Sequence, residues 1–310
     1  MIMRWNKLGL VYGPDGSMPW AKSHAMIPTP FRLNAEVIRV FVTFCDANGV
    51  GRPGYVDVSA NNPLNVLDVS QKPLLELGKP GTFDENGLLT CSVTDLGNGK
   101  LFMYYVGFEL GMKIRYRLLT GLAISEDGGN TFSRYSPTPV LERSATEFYF
   151  RAGPYCLYKS QRYRLWYVAG SEWIDLGGKS MPVYDIRYTE SDDGIHWPNK
   201  GEVKIAITEP DEHGFGRPCV IAKPAGGFRM FYSVRRRSFG AYRLGYAESS
   251  DGYTWQRMDN KLNLDVTAGS FDSDAIMYAA PLEIGGKLYV FYNGNEFGRA
   301  GFAVAILDSE

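Results

Sequence analysis

Side chains able to move protons or hold anions recur along this chain at intervals of about sixty residues. The first group is Lys22 and His24, the second Asp84, Glu85 and Asn86, and the third Glu147, Tyr149 and Arg151. Asp211, Glu212, His213 and Arg217 follow, then Asp272, Asp274 and Tyr278. Carboxylates brought together on either side of a scissile bond can act as acid and base. On that ground Asp84, Glu85, Glu147, Glu212 and Asp274 are the acid/base candidates. Arg151, Arg217, Lys22, His24, His213, Asp272 and Tyr278 are the candidates for holding a substrate, since guanidinium matches carboxylate or phosphate in two-point geometry. The plainer alternative is that some of these acids pair with Arg151 and Arg217 as a structural network.

Positioning such groups requires a repeating scaffold, and the sequence supplies one. A hydrophobic-aromatic strand appears five times: Ile38–Phe44, Leu101–Val106, Tyr163–Val168, Phe228–Ser233 and Leu288–Asn293. With Val40, Met103, Leu165, Met230 and Val290 as equivalents, the intervals are 63, 62, 65 and 60 residues. Long periods with four strands each indicate radial β repetition. The expected fold is all-β: one five-bladed β-propeller spanning residues 1–310, with four-stranded antiparallel blades whose opening strands line a central pocket. In the second repeat the strands read Leu88–Val93, Leu101–Val106, Leu118–Ser125 and Thr131–Tyr135, with a hairpin turn at Asn98-Gly99. The last repeat ends at Ala303–Leu307 without a fourth strand, and Trp5–Val11 resembles an orphan one, so the N-terminal strand is expected to close the ring.

A second signature repeats at the turn between third and outer strands: Ser125-Glu-Asp-Gly, Ser191-Asp-Asp-Gly and Ser249-Ser-Asp-Gly, each followed by an aromatic residue. Asp-Gly supplies the positive-φ turn, and the Ser and Asp side chains bond its backbone. The first copy resembles the Asp-box of sialidases, a structural turn.

Composition narrows the partners. The chain has 310 residues, 45% of them hydrophobic and 22% charged, with a net charge of −1. That balance offers no footprint for nucleic acid or an anionic membrane. The start, Met1 to Gly9, holds no signal-peptide-like apolar stretch, and no run approaches membrane-spanning length, so a cytoplasmic address is expected. Cys45, Cys91, Cys156 and Cys219 fit no CxxC pattern and read as buried thiols. The three histidines, His24, His196 and His213, have no clustered metal-ligand spacing, and no dinucleotide or phosphate-loop motif is present. Neither cofactor nor metal is therefore expected; calcium at the centre has no support.

Phe150-Arg-Ala-Gly-Pro through Tyr167-Val-Ala-Gly170 resembles the third blade of glycoside hydrolases of families 43 and 32. Asp84, with Gly87 shortly after, resembles their second-blade aspartate. Tyr242 to Trp255 resembles propellers of the family 32, 43 and 130 type. The resemblance covers nearly the whole chain and implies a carbohydrate-active protein with a glycan or activated sugar as ligand; Arg151, Arg217, Lys22 and His24 point to an acidic or phosphorylated one. The chain departs from those families at their catalytic carboxylates. His24-Ala25 stands at the blade-one position, and Ala152-Gly153-Pro154 where a Glu-Gly-Pro is expected. Three readings follow: a glycosidase with a relocated acid/base pair, a non-catalytic glycan-binding propeller, and a sugar-transfer or phosphorolysis enzyme of cell-surface polysaccharide synthesis. The Arg235-Arg-Arg237 run after the second strand of repeat four reads as a solvated rim loop, with ligand contact as the alternative. The aromatic residues Trp20, Tyr55, Tyr149, Trp173 and Tyr278 suit either stacking on sugar rings or core packing. Oligomeric state is not legible.

Overall fold

The computed structural model describes residues 2–310, so Met1 lies outside the described residues. The architecture is all-β. β1 (Arg4–Tyr12) is followed by a first set, β2 (Ser23–Arg32), β3 (Val37–Cys45), β4 (Gly51–Ser59) and β5 (Val66–Val69). The second set is β6 (Leu88–Asp95), β7 (Leu101–Leu110), β8 (Tyr116–Ser125) and β9 (Ser133–Arg134). The third is β10 (Phe150–Lys159), β11 (Arg162–Leu176), β12 (Lys179–Ser191) and β13 (Glu202–Ile205). The fourth is β14 (Glu212–Ala222), β15 (Phe228–Arg236), β16 (Tyr242–Ser249) and β17 (Gln256–Arg257). β18 (Met277–Ile284), β19 (Lys287–Asn293) and β20 (Phe302–Ser309) form the last, with short helices α1 (Asp259–Leu262) and α2 (Asn295–Gly298) in its flanking loops. Among the described residues no helix is long and apolar enough to cross a membrane.

In each set neighbouring strands follow chain order, as hairpin connections dictate. The exception is the last, whose order is β1-β20-β19-β18: the N-terminal strand pairs antiparallel with β20, Trp5 opposite Leu307 and Leu10 opposite Ala303. The orphan strand expected at Trp5–Val11 is thus the outer strand of the last set.

The chain divides into two compact units. One holds residues 1–74, 219–233 and 241–310; the other holds 75–218 and 234–240. In the first unit, Ile38, Val40, Val42, Phe44, Val56 and Val58 pack with Phe291, Phe302 and Val304. In the second, Tyr104, Leu122, Cys156, Leu165 and Tyr167 pack together with Trp197 against them. All four cysteines are buried and free, and burial pushes the Cys45 and Cys156 thiols up to about 12.

The Ser-x-Asp-Gly turns are built as their sequence implies. Ser249 Oγ donates to Asp251 Oδ1 at 2.8 Å, and that oxygen accepts the backbone N–H groups of Tyr253 and Thr254. Those N–H groups hold the Asp251 carboxyl down at about 2. The copies at Ser125 and Ser191 repeat the arrangement.

Opening strands carry bulges. Register shifts fall between Met26 and Thr29 in β2, Ala152 and Tyr155 in β10, and Met277 and Ala280 in β18. Positive φ is found there at Ile27 (54°), Gly153 (55°) and Tyr278 (58°). In the second unit a Cβ on Gly153 would sit 3.5 Å from Arg217 Cα, so the β10 and β14 backbones meet closely. Two of these positive-φ positions hold bulky side chains, where such a backbone is strained.

A deletion of residues 1–12 removes β1 and takes Lys7 from its buried partner Asp272. Losing the partner of a buried charge costs about 3–5 kcal/mol. A fall in melting temperature of about 10 °C or more is expected by circular dichroism. An unchanged melting temperature overturns the role given to β1.

Candidate functional site

The acids singled out by sequence resolve into a repeated construction. In the second repeat the Asp84 carboxylate accepts the Tyr105 hydroxyl at 2.9 Å and Arg134 Nε at 2.8 Å, with the Thr82 hydroxyl on its other oxygen. In the third, Glu147 accepts Tyr167 OH (2.8 Å), Arg187 Nη1 (2.9 Å) and Gly201 N–H (2.9 Å). Arg151 Nε lies 2.7 Å from Glu147 Oε2, but its N–H does not point along that line; the contact is ionic, not a hydrogen bond. In the last repeat Asp272 pairs with Lys7 Nζ at 2.5 Å, and Tyr292 OH lies 3.4 Å away. Repeat four has the same trio built on Asp259, which accepts Tyr232 OH at 2.6 Å and Arg257 Nε at 2.8 Å.

The four tyrosines stand at one position of the repeat, two residues after Met103, Leu165, Met230 and Val290. Burial, ahead of the neighbouring carboxylate, holds all four phenols well above their ordinary range, so each remains a donor. Small neighbours make room for the rings. A Cβ on Gly121 would come within 2.4 Å of Tyr105, and one on Gly245 within 2.2 Å of Tyr232. In the first repeat Val42 replaces the tyrosine, and the stretch around His24 carries no acid. Tyrosine and acid are thus lost together.

This construction decides how the candidates are exposed. Asp84, Glu147 and Glu212 side chains are 0% exposed and that of Asp272 is 1%. Glu212 precedes Tyr232 by 20 residues, the spacing of Glu147 to Tyr167 and Asp272 to Tyr292, and Arg236 Nη2 is 3.7 Å from it. Asp272 Oδ1 is buried without a hydrogen-bond partner among the described residues. Arg151 is spent on backbone, with Nη1 donating to Glu142 O and Nη2 to Pro198 O. Arg217 likewise donates Nε and Nη2 to Cys91 O, at 3.2 and 2.9 Å.

The remaining candidates are more open. Glu85 is exposed and accepts the Gly81 N–H at 2.8 Å. Asp274 is exposed; its N–H bonds Asn295 Oδ1, and its carbonyl accepts Arg243 Nη1. Lys22 is exposed with Nζ on Gly16 O at 2.6 Å. His24, at φ 63°, has Nδ1 2.8 Å from Ser23 Oγ, and burial followed by the Arg299 charge lowers its pKa. Tyr278 is half-buried against Tyr242, its N–H on Ser233 Oγ. His213 is buried, with Nδ1 donating to Pro182 O at 3.0 Å; burial, then Arg235 and Arg237, lower its pKa.

Sequence reasoning passed over Asp185, Arg187 and Arg134. Asp185 Oδ1 accepts Arg187 Nε at 2.8 Å, and burial raises the Asp185 pKa despite that partner. The signal was present: Tyr-Asp-Ile-Arg-Tyr in a strand puts residues 185 and 187 on one face. An aromatic cluster in the same unit, Tyr116, Tyr149, Phe150 and Trp173, also escaped notice as a group. Among the described residues no group of three His, Cys, Asp or Glu side chains is placed to hold a metal.

Two curated proteins of Mycobacterium tuberculosis align over 307 residues at 32% identity, covering 99% of this chain and all of theirs: Uncharacterized protein MT1551 of strain CDC 1551 / Oshkosh and Uncharacterized protein Rv1502 of strain ATCC 25618 / H37Rv. The chain belongs to the Rv1502 family. No family model matches the chain. Among solved structures, the Rv1502-family chain is similar to a glycoside hydrolase at TM-score 0.75 and 17% identity, over 100% of this chain and 93% of the other. A thermostable family-43 glycoside hydrolase gives 0.67 at 14% identity, over 94% and 95%. A structure described as showing that the GH130 family of mannoside phosphorylases contains hydrolases of β-1,2 mannosidic linkages gives 0.67 at 12% identity, over 99% and 94%. The fold of the Rv1502-family chain is that of these glycoside hydrolases.

Two outcomes test the assignment of these groups. Glu147→Gln is expected to destabilise the fold by about 3–5 kcal/mol, because Arg151 and Arg187 lose a buried counter-charge; Glu85→Gln is expected to leave the denaturation midpoint within about 0.5 kcal/mol of wild type. Equal midpoints for the two variants overturn the tie. The histidines set a pH dependence. With folded values below the ordinary 6.5, His24 and His213 contribute stability that is full above pH 6.5 and lost as pH falls below it. Asp185, raised, acts with the opposite sign. His213→Asn keeps a donor for Pro182 O, so its melting temperature is expected to fall less than wild type between pH 7.5 and 5.

Proposed function

We propose that the protein is a carbohydrate-active five-bladed β-propeller of the glycoside hydrolase type, acting on a glycan. The observation that carries this reading is the similarity of the whole chain, end to end, to glycoside hydrolases at TM-scores up to 0.75. The five sets of four strands, with β1 completing the last, support the propeller.

In this reading Asp84, Glu147, Glu212 and Asp272 are architecture. They are buried, and a carboxylate that never meets solvent cannot hand a proton to a bound sugar. Proton transfer falls to the exposed acids, with Glu85 and Asp274 as the candidates from the original set. Glu85 and the aromatic residues Tyr149 and Trp173 are the ligand contacts offered by the second unit.

One observation favours a second reading. Two of the acid/base candidates, Asp84 and Glu147, and the substrate-holding candidate Asp272 are spent in ties to tyrosines and cations, as is expected of a glycan-binding propeller with no reaction to perform.

Incubation with a panel of oligosaccharides, with and without inorganic phosphate, followed by chromatography of the products, separates the two. A hydrolase or phosphorylase releases sugar, and Glu85→Gln or Asp274→Asn lowers turnover about 10²- to 10⁴-fold with the melting temperature unchanged. Binding on a glycan array without any product establishes the second reading. Neither binding nor product overturns the carbohydrate assignment.

A further inference from the structure

The loop between β19 and β20 turns left-handed. Glu296 (φ 50°, ψ 42°), Phe297 (φ 59°, ψ 29°) and Gly298 (φ 83°) are consecutive residues with positive φ. Residues with a Cβ visit that region singly, and two in a row are costly. Such strain persists only where the surroundings over-determine it. Two asparagines do so here. Asn295 Oδ1 accepts the N–H groups of Asp274 and Ala275 at 2.8 and 2.9 Å, and its Nδ2 donates to Ser273 Oγ. Asn293, buried, donates Nδ2 to Ala25 O and Gly301 O, both at 2.9 Å. A Cβ on Gly298 would come within 2.2 Å of that nitrogen, so only glycine fits.

The turn holds an acid and a base side by side. Arg299 Nη1 donates to Glu296 Oε2 at 3.1 Å, with the Glu296 side chain 68% exposed and that of Arg299 65%. Among the described residues neither hydrogen-bonds another side chain. An exposed ion pair stabilises little, so the pair does not hold the turn; the turn holds the pair. Phe297, between them in sequence, is 42% exposed and stands edge-on to Tyr242 at 6.3 Å, with Tyr278 next at 5.7 Å. His24 joins from β2: its N–H donates to Arg299 O at 3.2 Å, and its Nδ1 lies 2.8 Å from Ser23 Oγ. All of these residues belong to the first compact unit.

The chemistry of the pair selects its ligand. An ionised carboxylate only accepts hydrogen bonds and a guanidinium only donates them. Two vicinal hydroxyls, each able to do both, match them side by side. An anion would have to take Arg299 from Glu296, and a cation the reverse, so the pair suits a neutral molecule. The neighbouring ring suits the C–H face of a sugar. The cations that pointed to an acidic sugar do not oppose this. Arg151 and Arg217 donate to backbone carbonyls, Lys22 donates to Gly16 O, and burial disfavours the charged form of His24.

We infer that Glu296, Phe297 and Arg299, with His24 beside them, form a subsite for a neutral sugar bearing a vicinal diol. Glu296 accepts from one hydroxyl, Arg299 donates to the next, and Phe297 lies against the sugar's C–H face. The inference rests on the proposed carbohydrate function and names its substrate class.

Titration calorimetry with manno-, cello-, xylo- and arabino-oligosaccharides tests it, each before and after periodate cleavage of its diols and borohydride reduction. Oligogalacturonate is the acidic counterpart. At least one intact neutral oligomer is expected to bind about tenfold tighter or more than its cleaved form and than oligogalacturonate. Glu296→Asn, which keeps a residue tolerant of positive φ, and Arg299→Gln are each expected to weaken that binding about tenfold or more. Both are expected to melt within about 2 °C of wild type, as exposed substitutions do. A pair that is merely structural moves the melting temperature and spares the binding, which overturns the inference. If a variant unfolds, the comparisons on the unaltered protein decide. Cleaved oligomers bound as well as intact ones, or oligogalacturonate bound as tightly as the neutral oligomers, overturn the inference and leave the carbohydrate reading intact. Binding of no sugar in any form removes the carbohydrate reading together with the subsite.

Discussion

A buried carboxylate gripped by a tyrosine and a cation is the interaction on which this fold depends. Each tie draws on different strands. In the second repeat the acid precedes β6, the phenol comes from β7 and the guanidinium from β9. In the third the partners come from β11 and β12, with the Gly201 N–H ahead of β13 added. Removing an ion from water is costly, and the cost is offset where its oxygens find donors, as those of Asp84 and Glu147 do; Asp272 Oδ1 finds none among the described residues. That requirement specifies the spacing of the strands across each sheet, which hydrophobic packing between aromatic rings would leave adjustable. The last repeat shows the consequence at the chain terminus. Its cation is Lys7 on β1, so the N-terminal strand is held by charge as well as by its ladder with β20.

The same requirement explains how far the sequence could be read. The five strands, their period, the orphan strand at Trp5–Val11 and the Ser-x-Asp-Gly turns are local patterns, and each stands in the structure where it was expected. The placement of acids was legible only in part. Asp84, Glu147, Glu212 and Asp272 recur with the opening strands, which suits a pocket. A period shared by four of the five repeats is equally the mark of architecture, and here the tyrosines twenty or so residues downstream share it. Which side of an opening strand a residue takes is a matter of one position. Glu147 is fully buried while Phe148 beside it is 38% exposed, and nothing in the one-dimensional pattern distinguishes their faces.

Departures from a repeat carry more functional information than its recurrences. In the first repeat Val42 replaces the tyrosine and His24 stands without an acid, a joint loss that the structural role of the pair accounts for. The arginine run at 235–237 has no counterpart after the second strand of other repeats; the corresponding residues in the second, Phe108 to Leu110, carry one acid and no base. Within the run, Arg236 is engaged by the buried Glu212 at 3.7 Å.

The backbone supports the same distinction. Positive φ at bulky side chains is costly, and such strain persists only where the surroundings over-determine it. Ile27 is held by Asn293 Oδ1 on its N–H at 2.7 Å, and Tyr278 by Ser233 Oγ at 2.8 Å. Glu85 and Phe148, one residue beyond their ties, are exposed, whereas His213, one residue beyond Glu212, is buried against Pro182 O.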